Sequence, residues 1–491
     1  MVAAGATIIV VGLALVTVST ESGPSGDGEQ FGDDVLGLVV ATEAGNVLGV
    51  RDREIRSWRG IPYAAAPVGD LRWRPPQQPE PWDDVIGVSE YGDSCAQPDD
   101  YVYGAASLMM RPGSSEDCLY LNVNRPDDDR RDLPVMVWLH GGGFFSGNGS
   151  GAVVNSPTLV DRGVVVVTIN YRLGRLGFFA HPALRQGVAN LGLLDQMAAL
   201  RWVRANIAEF GGNAGNVTLV GGSAGAMSVN ALMASPQGVG LFDRAIAQSA
   251  PSDQRSQTLG QARRKGAEAY PGLSASELRA LPPEALLSST FNTLLGDAPI
   301  VDSVLPRTAA DTFEAGDELP VPYLVGTTSE EFSNTDYEVL GRDAKGLRSA
   351  IGGRAHETVA AAYGPAFDRQ VLDDLFFTMP ALRRAHEHAE RAPTFRYVFD
   401  VDRQGSRHGA EVSYVFDDPD SFVGDDARLR ADEVADYWVA FATTGRPDVP
   451  GLPTWPEAVE SGYLRFTPTG PVAQPVDAQL ARLIALAVAT D

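Results

Sequence analysis

Three largely apolar runs limit what this chain can fold into. Pro134–Leu139, Gly163–Ile169 and Asn216–Val220 lack the alternation of a strand with one wet face, so each reads as a strand buried on both faces. Between the second and the third, apolar residues fall at Leu193, Met197, Leu200, Val203, Ile207 and Phe210. That spacing lines one face of a long helix beginning at Asn190, which Gly211 and Gly212 stop. A further helix is expected after Val220. Strands and helices in alternation demand a mostly parallel central sheet flanked by helices on both faces, the α/β class. Val321–Val325 and Phe395–Phe399 read as later strands. Val35–Ala64, broken at Gly45, Asn46 and Gly60, reads as an N-terminal antiparallel hairpin. The helix-rich polar stretches Gln254–Ala298 and Tyr337–Arg391 are the expected lid excursions over the C-terminal edge of the sheet.

The residues that follow these strands carry the chemistry. Val220-Gly221-Gly222-Ser223-Ala224-Gly225 puts a G-x-S-x-G sequence at the junction of a buried strand and a helix. A tight turn there crowds the serine backbone, and the flanking glycines relieve the crowding and leave the hydroxyl exposed. A helix starting just after Ser223 points its free N–H groups at developing negative charge. The bland alternative is a glycine-rich turn that only holds a helix close to a strand. A serine hydroxyl also needs a base to take its proton and donors for the oxyanion. His140-Gly141-Gly142-Gly143-Phe144 directly follows its strand, and its glycines let the main chain approach a substrate with no Cβ in between. Gly142 and Gly143, with the N–H of Ala224, are the expected oxyanion donors; a merely flexible loop is the alternative.

The sequence holds six histidines. Triads built on such a turn run serine, acid, histidine along the chain, which excludes His140 and His181. His356, His386 and His388 sit in polar helical segments and read as solvent-facing. His408, in a loop after the Phe395–Phe399 strand, is the expected general base. Its acid should end a strand between Ser223 and His408, where Glu330 and Glu331 are both candidates.

Lys+Arg 39 against Asp+Glu 63 gives a net charge of −24. Such a surface repels nucleic acid and anionic lipid headgroups, so neither is an expected partner. It suits a neutral or cationic small-molecule substrate, although an excess of this kind is more often a solvated adaptation to salt. Ala3–Val18 is apolar and, at about 16 residues, shorter than the ~20 of a bilayer span. An acidic Gly/Ser-rich linker then runs to Asp34. Signal-peptide length favours export, so a secreted or extracytoplasmic protein is expected. No Lys or Arg precedes the apolar stretch, which leaves open a mis-assigned start or its retention as a membrane anchor. Residues 1–34 are then a signal-like leader and disordered linker, and residues 35–491 one large α/β domain. A bond between the two cysteines, Cys95 and Cys118, would stabilise the fold by about 3 kcal/mol through loop closure. It would need the oxidising conditions that export supplies; two buried free thiols are the alternative.

Longer segments stand around these motifs: RGIPYAAAPVGDLRWRPPQ from Arg59, SEDCLYLNV from Ser115, HGGGFFSG from His140 and NYRLGRLGFF from Asn170. After them come LGLLDQMAALRWVRANIAEFGGNAGNVTLVGGSAGA from Leu191, FDRAIAQSA from Phe242, RHGAEVSYVF from Arg407 and YWVAFATTGRPD from Tyr437. Together, from Gly60 to Pro456, the chain resembles the type-B carboxylesterase/lipase family, the group of cholinesterases and bacterial para-nitrobenzyl esterases. The resemblance implies an α/β-hydrolase fold and a monomeric serine carboxylic ester hydrolase that needs no metal or cofactor. It implies a triad of Ser223, Glu331 and His408, with Gly142, Gly143 and Ala224 as oxyanion donors. Attack by Ser223 would form an acyl-enzyme that water then cleaves, with Glu331 fixing the His408 tautomer. Ser249 matches a buried serine that hydrogen-bonds near the triad acid; an inert helix-end serine is its alternative. Cys95–Cys118 matches the family's first disulfide, and Arg72 with Glu116 a buried structural ion pair.

Some positions depart from the family. The glycine that usually follows the acid is Phe332, which keeps Glu330 as a fallback. The glutamate usual before the nucleophile is Gly222, and the loop between the cysteines has Tyr101 and Tyr103 but no tryptophan. Cholinesterases use an acid and a tryptophan there to hold a quaternary ammonium, so choline esters are not expected substrates. Shorter lid segments imply a more open gorge. The same site could instead cleave amides, carbamates or lactones. A non-catalytic adhesion module is the rival of another class, and the presence of every catalytic part argues against it.

Overall fold

Alternation of side chains along each buried run divides the interior between the two faces of one sheet. The computed structural model describes residues 37–475 except 99–112, 152, 156, 186, 254–255, 288–298, 333–366, 403–405, 417–421, 423 and 459–461. The main sheet holds β1 Val50–Asp52, β2 Ile55–Pro62, β3 Tyr120–Pro126, β4 Leu133–Leu139, β5 Val165–Ile169 and β6 Gly212–Gly222. It continues with β7 Arg244–Gln248, β8 Tyr323–Thr328, β9 Thr394–Phe399, β10 Gly462–Thr467 and β11 Gly470–Pro475. Their order is β11-β10-β9-β8-β7-β6-β4-β5-β3-β2-β1. From β5 to β10 neighbouring strands are parallel. Antiparallel pairs close both margins. This is the mostly parallel sheet that the apolar runs require.

The helices used below are α1 Leu191–Asn206, α2 Ala224–Ala234, α3 Phe367–Asp373, α4 Met379–Ala389, α5 Ala410–Phe416 and α6 Asp425–Thr444. On one face, Val135, Val137 and Leu139 of β4 join a core with Leu193, Met197, Leu200 and Val203 of α1 and Val229 and Leu232 of α2. On the other, Met136 and Trp138 of the same strand meet Val412 and Val415 of α5 and Val434, Trp438 and Phe441 of α6. Each strand residue is therefore covered whichever way it points, which is why these runs are largely apolar.

Two boundaries differ from expectation. Helix α1 ends at Asn206, because the chain tightens into a turn in which the Phe210 N–H bonds Ile207 O at 3.1 Å. Ile207 and Phe210 stay buried in the same core, so their spacing reported burial beyond the helix itself. Gly60 does not break a strand. It lies inside β2 at a register shift between Trp58 and Ile61, with φ +75°, and its N–H is taken by Asn122 Oδ1 at 2.9 Å. The expected N-terminal hairpin is formed by Val39–Thr42 and Gly45–Leu48.

His388 is not solvent-facing. Helix α4 turns Ala381, Arg384, Ala385 and His388 inward, and each buried polar group there meets an acid. Arg384 pairs with Asp253. The His388 Nδ1 lies 2.7 Å from Glu318 Oε1 and its Nε2 2.8 Å from Val321 O. Polar composition misled because partners from distant chain segments neutralise the helix's buried face. His386 is exposed, and His356 lies outside the described residues, as do Ala3–Val18, Tyr101 and Tyr103. The stretch from 254 to 298 carries helices Leu259–Ala269 and Ala275–Arg279, each opened by a capping box, and α3 and α4 fall in the second expected excursion.

Cys95 and Cys118 form a disulfide with Cα atoms 4.9 Å apart. The Arg72 Nε donates to Glu116 Oε2 at 2.7 Å, and its Nη1 donates to the carbonyls of Arg279 and Leu281. This pair ties the start of the domain to the helix at Ala275–Arg279, a structural role. No helix among the described residues is long and apolar enough to cross a membrane.

Candidate active site

Ser223 stands between β6 and α2 with φ 55° and ψ −119°, a backbone region that costs a non-glycine residue about 1–3 kcal/mol. The turn is pinned on both sides. The Ser223 N–H donates to Gln248 O at 2.8 Å, and its carbonyl accepts the Met227 N–H at 2.9 Å. The flanking glycines are obligatory here. A Cβ on Gly221 would lie 2.9 Å from Ala226 N, and one on Gly225 would overlap the Leu139 carbonyl. Side chains at either position would push α2 off the sheet.

The glycine loop after β4 backs directly onto this turn. A Cβ on Gly141 would sit 3.2 Å from Ser223 Cβ. Gly142 and Gly143 have φ of 103° and 61°, conformations that favour glycine. The Gly142 carbonyl accepts the N–H groups of Phe145 and Ser146 at 3.1 and 3.0 Å and the Ser146 hydroxyl at 3.1 Å, which fixes the loop. Ala224, buried, opens α2, so its N–H belongs to the unpaired first turn of a helix. The His140 ring stacks on Tyr171 with centroids 4.3 Å apart, while the Tyr171 hydroxyl donates to His140 O at 2.7 Å. Burial pushes the His140 ring down to about 4. It is therefore neutral at pH 7, and its Nδ1 proton goes to Gly141 O at 2.8 Å. His140 props the loop and is no base.

His408 and Glu331 come from the segments that follow β9 and β8. The His408 Nδ1 lies 2.6 Å from Glu331 Oε2, with the imidazole one-third exposed and the carboxylate enclosed. A carboxylate only accepts, so Nδ1 carries the proton and Nε2 becomes the basic nitrogen. The other Glu331 oxygen accepts the Thr328 N–H at 2.9 Å. Glu330 instead spends its backbone on the neighbouring loop, donating its N–H to Ser406 O at 3.0 Å. The segment after His408 reaches back to the Ser223 turn, since a Cβ on Gly222 would lie 3.7 Å from Val412 Cγ2.

Ser249 is buried at the end of β7, not at a helix end, and its hydroxyl donates to Glu411 Oε1 at 2.9 Å. Glu411 was missed by the sequence reading. It sits three residues after His408 in a stretch dominated by apolar residues, and a lone acid among them was the available signal. The Tyr397 hydroxyl shares the same oxygen at 3.3 Å, and Oε2 has no partner among the described residues. Burial, and after it the charge of Glu331, pushes the Glu411 carboxyl from the usual 4.5 up to about 7, with His408 pulling the other way. A carboxyl raised on folding lends stability in full below about 4.5 and loses it as the pH rises through about 7. Glu411→Gln does not titrate. Wild-type stability relative to this variant should therefore fall between pH 5 and pH 8, read from denaturant midpoints. A difference that stays constant across that range would reject this account.

A parallel sheet ending in a strained serine, a glycine loop and a paired histidine and acid defines a serine hydrolase of the α/β-hydrolase fold. The chain belongs to the carboxylesterase family, which it matches over residues 37–355 and 353–481. It is 35% identical to the para-nitrobenzyl esterase of Bacillus subtilis (strain 168), over 85% of this chain and 92% of that protein. It is 34% identical to the fumonisin B1 esterase of Sphingopyxis macrogoltabida, over 87% of this chain and 86% of the relative. A solved PNB esterase structure superposes with a TM-score of 0.81 at 32% identity, covering 92% of this chain and 99% of the other. The protein is thus a carboxylic ester hydrolase.

Proposed function

We propose that Ser223, His408 and Glu331 are the catalytic triad of this esterase and that the amides of Gly142, Gly143 and Ala224 receive the oxyanion. His408 Nε2 takes the Ser223 proton as the hydroxyl oxygen attacks the ester carbonyl. The tetrahedral oxyanion collapses, the leaving alcohol receives the proton from His408, and an acyl-enzyme remains. Water then adds by the same route, giving the carboxylic acid and free Ser223. The observation that carries this reading is the 2.6 Å contact between His408 Nδ1 and Glu331 Oε2, which supplies the tautomer a general base needs.

The substrates we favour are neutral esters. A side chain at Gly222 would meet the Trp138 ring at 3.1 Å and Val412 at 3.7 Å, so apolar groups line the position where an acid would draw a cation. The relatives' names, para-nitrobenzyl esterase, fumonisin B1 esterase and cocaine esterase, share ester cleavage. The Cys95–Cys118 disulfide and the apolar Ala3–Val18 stretch support export to an oxidising compartment. Purified enzyme should take a fluorophosphonate on Ser223. It should turn over para-nitrophenyl butyrate with kcat/KM at least about ten-fold above that for butyrylcholine. Equal turnover of the choline ester would reject the neutral preference, and labelling at any other residue would reject the nucleophile.

A further inference from the structure

We propose that Phe377, propped by Phe332, is a positioning residue that keeps the His408 imidazole seated on Glu331. The inference rests on the triad reading above. A hydrogen bond at Nδ1 holds one edge of an imidazole but leaves that contact as a pivot. A body bearing on the ring's face restricts that pivot and helps keep Nε2 aimed at its target. The Phe377 ring supplies it, with centroids 5.1 Å apart and planes at 53°. Phe377 is only 4% exposed, so it yields little. Behind it, Phe332 meets Phe377 edge-on at 5.3 Å and 69°, and Phe376 at 6.1 Å and 83°, the arrangement that aromatic pairs prefer.

The backbone locks this wall to the site. Phe376 and Phe377 lie in a π-turn, Asp374–Thr378, inserted between α3 and α4; such widenings recur at functional sites. The Phe332 N–H donates to Asp373 Oδ1 at 3.1 Å, and the Ser252 N–H donates to the Phe376 carbonyl at 2.8 Å. Phe332 directly follows Glu331, so one short segment delivers both the acid that holds the imidazole's edge and the prop for the ring that covers its face.

Three readouts test it: kinetics on para-nitrophenyl butyrate, fluorophosphonate labelling, and the downfield proton resonance of the His408 Nδ1–H bound to Glu331. Phe377→Leu should lower kcat about ten-fold with KM unchanged, slow labelling in proportion, and broaden the downfield resonance through faster exchange. Phe332→Gly, a change at a half-buried position, should give a smaller loss of the same kind. The double variant should be no worse than Phe377→Leu, because Phe332 acts through Phe377. Wild-type kcat in Phe377→Leu, a loss confined to KM, or lost kcat with a sharp downfield resonance would each overturn the proposal. Additive losses in the double variant would overturn the role of Phe332 as a prop. Failure of wild-type enzyme to label at Ser223 would instead bring down the triad reading beneath it.

Discussion

Ser223→Ala and His408→Ala should each lower kcat on a para-nitrophenyl ester by about a million-fold, and the double variant should be no slower than either. A hydroxyl without its base and a base without its hydroxyl are equally useless, so the second removal has nothing left to take away. The loss corresponds to about 8 kcal/mol of transition-state stabilisation. Glu331→Gln should cost less, about ten-thousand-fold, since its amide lets the imidazole sit in the wrong tautomer but leaves both reacting groups in place. Residual turnover of about a thousand-fold over water should survive in every case, because the amides of Gly142, Gly143 and Ala224 still meet the oxyanion. Circular dichroism should find the variants folded: the Ser223 turn is held through backbone bonds to Gln248 and Met227 and not through its hydroxyl. Losses that multiply in the double variant would mean that the two groups act in separate steps, and the triad would have to be abandoned.

What the sequence made legible follows from where each residue's partners lie. The strands β4, β5 and β6 were plain because burial on both faces leaves a largely apolar run, a signal confined to a few consecutive residues. The Ser223 turn and the glycine loop were plain because each motif is written in a few consecutive residues, although the crowding that Gly225 and Gly141 answer comes from the two strand ends pressing on each other. The choice between Glu330 and Glu331 was different. Neighbouring residues on a loop point apart, and the ladder between Glu330 and the chain at Ser406–Arg407, with the Thr328 N–H on its carboxylate, aims Glu331 at the imidazole. His388, Glu411 and Phe377 were misread or missed because what makes each of them fit is far away in the chain. Glu318 answers His388, Ser249 and Tyr397 answer Glu411, and His408 lies against Phe377. No periodicity within a helix reports a partner that another element brings.

Gly225→Ala should destabilise the protein by about 3 kcal/mol, the upper end of what overpacking a tight site costs, and should remove most activity from the molecules that remain folded. The added Cβ would overlap the Leu139 carbonyl and stand 2.9 Å from the His140 carbonyl. Both obstacles are main chain at the end of β4, so no rotamer change can make room. Relief requires α2 to back away from the sheet or the strand end to shift. Either movement separates the Ala224 N–H from the glycine loop that Leu139 and His140 lead into, and in the oxyanion role proposed for these amides a donor misplaced by a fraction of a hydrogen bond's length loses much of its worth. Gly187→Ala provides the control, since a Cβ there meets nothing within 4 Å, and its stability should stay within about 0.5 kcal/mol of wild type. Urea midpoints and kcat measured on both variants decide the matter. A Gly225→Ala enzyme as stable and as fast as the parent would show that α2 does not press on β4, and main-chain crowding would no longer account for the second glycine of the G-x-S-x-G turn.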